Sequence, residues 1–185
     1  MRNGCTIVVS LSLLATPAAA AAPEEPTIIT NAFYAAYATF HPSDGIPDAK
    51  ARAKLEPFVS AALDKLFVEA EEAGAHFAKV TKNMSPPLVE GDLFTSNFEG
   101  ATAFHVGACA TSGEAAHCSV SFGYRSNSKE AAKPVNWTDT VYLVRTANGW
   151  RVDDIAYGAT WAFGNKGRLK DVLMNAIRDG NSATP

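Results

Sequence analysis

Basic residues are too few in this chain for a nucleic-acid surface: 16 lysines and arginines against 19 acids leave a formal net charge of −3. A nucleic-acid binder of this size carries a basic excess that follows the phosphate backbone. Cysteine is scarce too, three in 185 residues, which excludes a disulfide-dense miniprotein. No apolar run reaches the ~20 residues that a membrane-spanning helix needs. The phosphate loop G-x-x-x-x-G-K-[ST], the nucleophile elbow G-x-S-x-G, the H-E-x-x-H zinc motif and the acidic calcium loop are all missing. No cofactor is implied, and His41, His76, His105 and His117 form no close ligand cluster.

What remains is the composition of one folded domain, 47% hydrophobic and 19% charged. The first residues form a separate unit. Met1-Arg2-Asn3 is weakly basic, Gly4–Thr16 is mostly small or apolar, and Pro17 leads into Ala18–Ala22. A basic end, a short apolar stretch and an Ala-x-Ala site describe a secretory signal peptide over residues 1–20, cut after Ala20. Cutting after Ala22 would place Pro23 directly past the scissile bond. Removal of 20 of the 185 residues leaves a domain of 165, residues 21–185, with its core at about 26–179. Arg2 and Cys5 go with the leader, so the charge becomes −4 and two cysteines remain, Cys109 and Cys118. The expected location is periplasmic or secreted.

Residues 24–82 read as helical. Ile29, Phe33, Tyr37 and Phe40 place an apolar stripe on a helix from about Pro26 to Phe40, ended by His41-Pro42-Ser43-Asp44-Gly45. Pro47 can open a short helix, and Pro57 a longer one to about Thr81 with Val59, Leu63, Leu66, Phe67, Ala70 and Phe77 on its apolar face. Residues 88–100 follow no period, yet Leu93, Phe94 and Phe98 are costly to leave in water, so the stretch reads as an ordered loop. From Ala101 the pattern is β. Ala101–Ala110 and His117–Arg125 flank one turn, and Val135–Thr146 and Trp150–Tyr157 flank Asn148-Gly149, a strong hairpin signal. Ser126–Pro134 joins the hairpins, and Leu169, Val172, Leu173, Ala176 and Ile177 predict a closing helix. The expected class is α+β: N-terminal helices packed on a curved antiparallel sheet of two hairpins, with a mouth at one end.

A first hairpin centred between Gly113 and Glu114 sets Cys109 opposite Cys118, Gly107 opposite Val120 and His105 opposite Phe122. In an exported chain the two cysteines read as a structural disulfide; there is no Cys-x-x-Cys for redox work, and two thiols alone make a poor zinc site. In the second hairpin the expected register opposes Leu143 to Asp154 and Arg145 to Val152, so that one of Asp153 and Asp154 faces apolar neighbours unless a bulge intervenes. A carboxylate on an apolar wall has a raised pKa, which makes Asp139 and Asp154, with His105, the candidate catalytic groups. The plainer reading is that these aspartates cap loop N–H groups or pair with Arg145 or Arg151. Trp137, Trp150, Tyr157, Trp161 and Phe163 suit ligand stacking, although aromatics in hairpins are more often core. The candidate binding set is Asp92, Phe94, Glu99, Trp137 and Tyr157.

Several stretches together resemble a known bacterial family. They are Tyr34-x-x-Tyr37, Pro86-Pro87-Leu88, Glu90-Gly91-Asp92-Leu93-Phe94-Thr95-Ser96, Phe98-Glu99-Gly100, Trp137-Thr138-Asp139-Thr140-Val141 and Gly149-Trp150-Arg151-Val152-Asp153-Asp154-Ile155 with Tyr157. The resemblance, from about Ala32 to Ile177, is to the family called domain of unknown function 3828. It implies a variant of the nuclear-transport-factor-2-like cone and brings no catalytic residue. Enzymes on that wider fold use acids in the cavity, an analogy that transfers no residue here. The expected function is therefore a soluble, non-enzymatic envelope protein that binds a small ligand or a protein partner through the mouth of the sheet. The alternatives are a cone-fold isomerase or hydrolase, and a periplasmic immunity or inhibitor protein.

Overall fold

The computed structural model describes residues 25–40, 45–126 and 134–184. The leader with its cut after Ala20, the His41–Asp44 part of the expected turn and most of the inter-hairpin loop lie outside these residues. The described chain is α+β, in the order α1 (Glu25–Tyr37), α2 (Ala49–Leu55), α3 (Ala61–Val80), β1 (Ala103–Ser112), β2 (Ala115–Tyr124), β3 (Val135–Thr146), β4 (Gly149–Ala156) and α4 (Leu169–Ser182). The four strands form one antiparallel sheet in sequence order, with β1 and β4 as its edges.

Each helix has a local cause. The face of α1 repeats every three to four residues through Pro26, Thr30, Phe33, Tyr34 and Tyr37, all buried. Asp48 caps α2 by accepting from the Ala51 N–H at 2.8 Å, so Pro47 sits just ahead of the cap rather than inside the first turn. The third helix starts later than Pro57. Ser60 caps it through the Leu63 N–H at 3.0 Å, because the preceding residues serve the sheet instead. Val59 bridges Val152 in parallel, the Ser60 N–H donates to the Val152 carbonyl at 2.8 Å, and the Val152 N–H donates to the Phe58 carbonyl at 2.8 Å. A second bridge, Ala156 to Arg168, pairs more of β4, so this edge is not left open along its length.

Two bulges correct the expected registers. The turn at Gly113-Glu114 does oppose Cys109 to Cys118, and the two form a disulfide with Cα atoms 4.0 Å apart. Between Val106 and Cys109 the pairing slips, so Val106 rather than Gly107 opposes Val120, and His105 opposes Ser121 rather than Phe122. The extra residue keeps Val106 and Cys109 on one face although they are three apart. In the second hairpin Leu143 opposes Val152 and Arg145 opposes Trp150, and a bulge then sets Tyr142 against Asp154. Neither Asp153 nor Asp154 therefore joins Trp150, Val152 and Ile155 on the apolar face.

That apolar face carries Val106, Cys118, Val120, Phe122, Val141, Leu143, Trp150, Val152 and Ile155, all buried. It lies against α1, whose Tyr34 ring meets Phe122 at 5.0 Å and whose Phe33 ring meets Phe94 at 5.7 Å. Thr27 and Thr30 of α1 donate to the sulfurs of Cys109 and Cys118. The opposite face shows His105, His117, Ser119, Ser121 and Thr138 to solvent. Helices α3 and α4 pair with each other, and both reach β4. Among the described residues no helix is long and apolar enough to cross a membrane.

Candidate functional site

The stretch from Gly91 to Gly100 is irregular in backbone yet sits in the core, with residues 91–96 all buried. Such a segment must find partners for its own N–H and C=O groups. Asp92 begins this. Its Oδ1 accepts from the N–H groups of Phe94 at 2.7 Å and Thr95 at 2.8 Å, an Asx-type turn. Its Oδ2 accepts from the Tyr37 hydroxyl at 2.6 Å, and that hydroxyl accepts from the Ala101 N–H at 3.1 Å. Gly91 takes φ +74°, and a Cβ there would lie 2.5 Å from the Phe98 ring, so only glycine lets the loop fold back on itself.

Four more side chains tether the loop. The Tyr34 hydroxyl donates to the Phe94 carbonyl at 3.1 Å, and the Tyr157 hydroxyl to the Leu93 carbonyl at 2.7 Å. The Asn165 side-chain amide donates to the carbonyls of Asp92 at 2.6 Å and Thr95 at 2.7 Å. Asp139 of β3 supplies the last. One of its oxygens accepts from the Ser96 N–H at 2.8 Å and the Trp137 indole at 3.1 Å; the other accepts from the Ser96 hydroxyl and from the Gly158 N–H at 2.9 Å. Gly158 comes so close to β3 that a Cβ would lie 2.1 Å from the Thr138 carbonyl oxygen.

The electrostatics follow from burial. Desolvation pushes the Asp92 carboxyl up to about 7, against the opposing pull of the bonds from Tyr37, Phe94 and Thr95. Burial also raises Asp139, opposed by its four donors, and it raises the hydroxyls of Tyr34, Tyr37 and Tyr157, with the nearby carboxylates adding to the effect. These are proton-tuned groups. Each of the two aspartates is only 1% exposed.

The sequence-derived candidates therefore separate by place. Asp92, Phe94 and Asp139 lie inside the molecule. Trp137 is buried and stacks on Phe122 at 5.4 Å, and Tyr157 is half-buried with its hydroxyl on the loop. Asp154 is also buried but bound by Arg168 Nε at 2.6 Å, and the Arg168 guanidinium lies 4.1 Å from the Tyr142 ring centre. Asp153 is held by Ser60 at 2.6 Å and Lys170 at 2.7 Å. The expected pairing of these aspartates with Arg145 or Arg151 is replaced by partners at the starts of α3 and α4: Ser60, Arg168 and Lys170. His105 stands on the solvent face of β1.

Glu99 alone of the binding set is exposed, and it marks the place where the loop reaches the surface. There Asn97, Phe98 and Glu99 meet Trp161 and Phe163 around a cleft of about 450 Å³. Phe163 is 90% exposed and Phe98 46%. Trp161 is backed by Trp137, ring centres 5.6 Å apart at 89°, and its carbonyl accepts from Lys166 Nζ at 2.6 Å. The neighbouring Glu99 carboxylate pushes the Tyr124 hydroxyl up in pKa. Two further clefts lie at residues 46 and 70–89 (about 290 Å³) and between the start of α1 and the β3–β4 turn (about 330 Å³). Asp139, Asp154 and His105 line none of these three.

Among the described residues no group of three or more histidines, cysteines or acids is placed to hold a metal ion. Sequence reasoning missed Ser96, Asn97 and Asn165. Ser96 and Asn97 lie beside the Gly91-Asp92-x-Phe94 turn, but nothing in the sequence pairs residue 96 with 139 or residue 165 with 92. Set against known proteins, the chain matches no family model, and no curated protein is significantly similar to it.

Proposed function

We propose that this chain is an exported, non-enzymatic binding protein whose recognition surface is the aromatic cleft formed by Phe98, Trp161 and Phe163 and edged by Asn97 and Glu99. The observation that carries the reading is Phe163, a phenylalanine 90% exposed beside a second half-exposed one. An apolar surface of this kind is maintained against water at a cost and marks a contact site. Its volume of about 450 Å³ is that of a small-molecule site. The cleft lies where the Gly91–Gly100 loop meets the segment after β4, away from the two hairpin turns, which makes it the mouth of the sheet in this reading. The buried carboxylates take a supporting part: they hold the loop that presents Phe98 and Glu99.

The finer fold belongs to the same proposal. A four-stranded antiparallel sheet with α1 against its apolar face suits a cone of the nuclear-transport-factor-2-like kind, and the resemblance to domain of unknown function 3828 agrees with it. Export rests on the leader pattern, and an oxidised cysteine pair suits the compartment. The test is a thermal-shift screen of the mature protein against metabolite pools and envelope extracts, run beside Phe163→Ala. The expected result is a compound that raises the unfolding midpoint of the wild type and not that of the variant. A screen in which no compound behaves so overturns the reading.

A further inference from the structure

Given that reading of the cleft, we infer that its ligand is a small organic cation, a quaternary ammonium or an alkylated amine. The lining is three aromatic side chains, one amide and one carboxylate, with neither lysine nor arginine among the lining residues. Each class of ligand meets that lining differently. An anion would be repelled by Glu99. A neutral apolar ligand would strip water from the Glu99 carboxylate and offer it nothing in exchange. A hard metal ion needs several oxygen ligands in place of its water, and no acid cluster of that kind exists among the described residues. An alkylated ammonium group satisfies both parts. Its methyl groups lie against ring faces, its charge is attracted by their quadrupoles, and Glu99 provides the counter-charge.

Two walls of the site are set in advance. Trp161 is held from behind by Trp137 and through its carbonyl by Lys166, and the Phe98 ring is seated over Gly91. Binding then costs little side-chain ordering beyond Phe163.

The experiment titrates the mature protein with choline chloride and, separately, with 3,3-dimethylbutanol, the neutral compound of nearly the same shape, at constant ionic strength. Tryptophan fluorescence and calorimetry read the binding. Saturable binding of choline is expected, with the neutral compound weaker by about tenfold or more and Phe163→Ala and Glu99→Gln each weakening choline by roughly threefold to tenfold. The unfolding midpoint of Phe163→Ala should match the wild type, since that side chain touches solvent. Equal binding of the two compounds, or choline binding that ignores both substitutions, overturns the cation assignment. If choline fails while another compound from the screen binds in a Phe163-dependent way, the ligand class is wrong and the cleft stands. If no compound binds there, both fall.

Discussion

Asp92 is a carboxyl that folding makes harder to ionise, and this fixes the sign of its effect on stability. Its folded pKa of about 7 lies above the ordinary carboxylate value of 3.8. The folded state therefore holds a proton that the unfolded state has released between those values. The contribution is full below about 4 and is lost as pH rises through about 7. Urea midpoints should accordingly be higher at pH 5 than at pH 8, with the raised Asp139 acting in the same direction. Asp92→Asn keeps an acceptor for Phe94 and Thr95 and should flatten the dependence over that window; an unchanged slope would refute the assignment. Asp139 has a different weakness, since four donors converge on it. Asp139→Ala leaves buried N–H groups without partners, each costing ~1–3 kcal/mol, and should lower stability by roughly 3 kcal/mol or more in denaturant unfolding. Asp139→Asn, which keeps one oxygen, should lose less. In the sequence Asp139 reads as a candidate carboxylate of raised pKa and Asp92 only as a candidate binding residue. Their structural role was not legible, because Asp139 depends on Ser96 and Gly158, 43 and 19 residues away, and Asp92 on Tyr37, 55 residues away.

At the scale of elements, turn chemistry and periodicity fixed more than strand pairing did. The aromatic stripe of α1, the Asn148-Gly149 turn and the apolar spacing of α4 each carry their own local signal. A bulge carries none that is visible along one strand. Gly107-Ala108 and Asp153 read as ordinary strand positions, and only the partner strand reveals the slip that turns His105 to solvent and sets the buried Asp154 against Tyr142 instead of Leu143. The Cys109–Cys118 pairing was legible because it lies on the turn side of the first bulge, before any error in register accumulates. Two elements can be tested. The disulfide closes a short loop, with its cysteines nine residues apart, so replacing both by serine should cost about 2–3 kcal/mol and speed amide exchange in β1. Gly158→Ala sets a methyl against the Thr138 carbonyl and displaces the N–H that binds Asp139. A loss of roughly 2–4 kcal/mol is expected in thermal or urea unfolding, well beyond an ordinary surface change.

For the whole molecule, the leader and the disulfide make one joint prediction about maturation. The full sequence carries three cysteines, an odd number that invites mispairing, and Cys5 lies within the proposed leader, to be removed after Ala20. The other two are already opposed in the fold, with Thr27 and Thr30 of α1 donating to their sulfurs. Under the proposed export the surplus thiol leaves with the leader, and the remaining pair reaches a compartment where it stays oxidised. Intact-mass measurement of the exported protein should show a chain beginning at Ala21, two hydrogens lighter than its reduced form, with no thiol open to alkylation before reduction. The same residues produced in a reducing cytosol should arrive with both thiols free. Their unfolding midpoint should fall below that of the exported form by the stability the cross-link contributes, and oxidation in vitro should restore it, because the paired strands already hold the two cysteines opposite each other. A retained leader, or free thiols in the exported chain, would refute this account of its maturation.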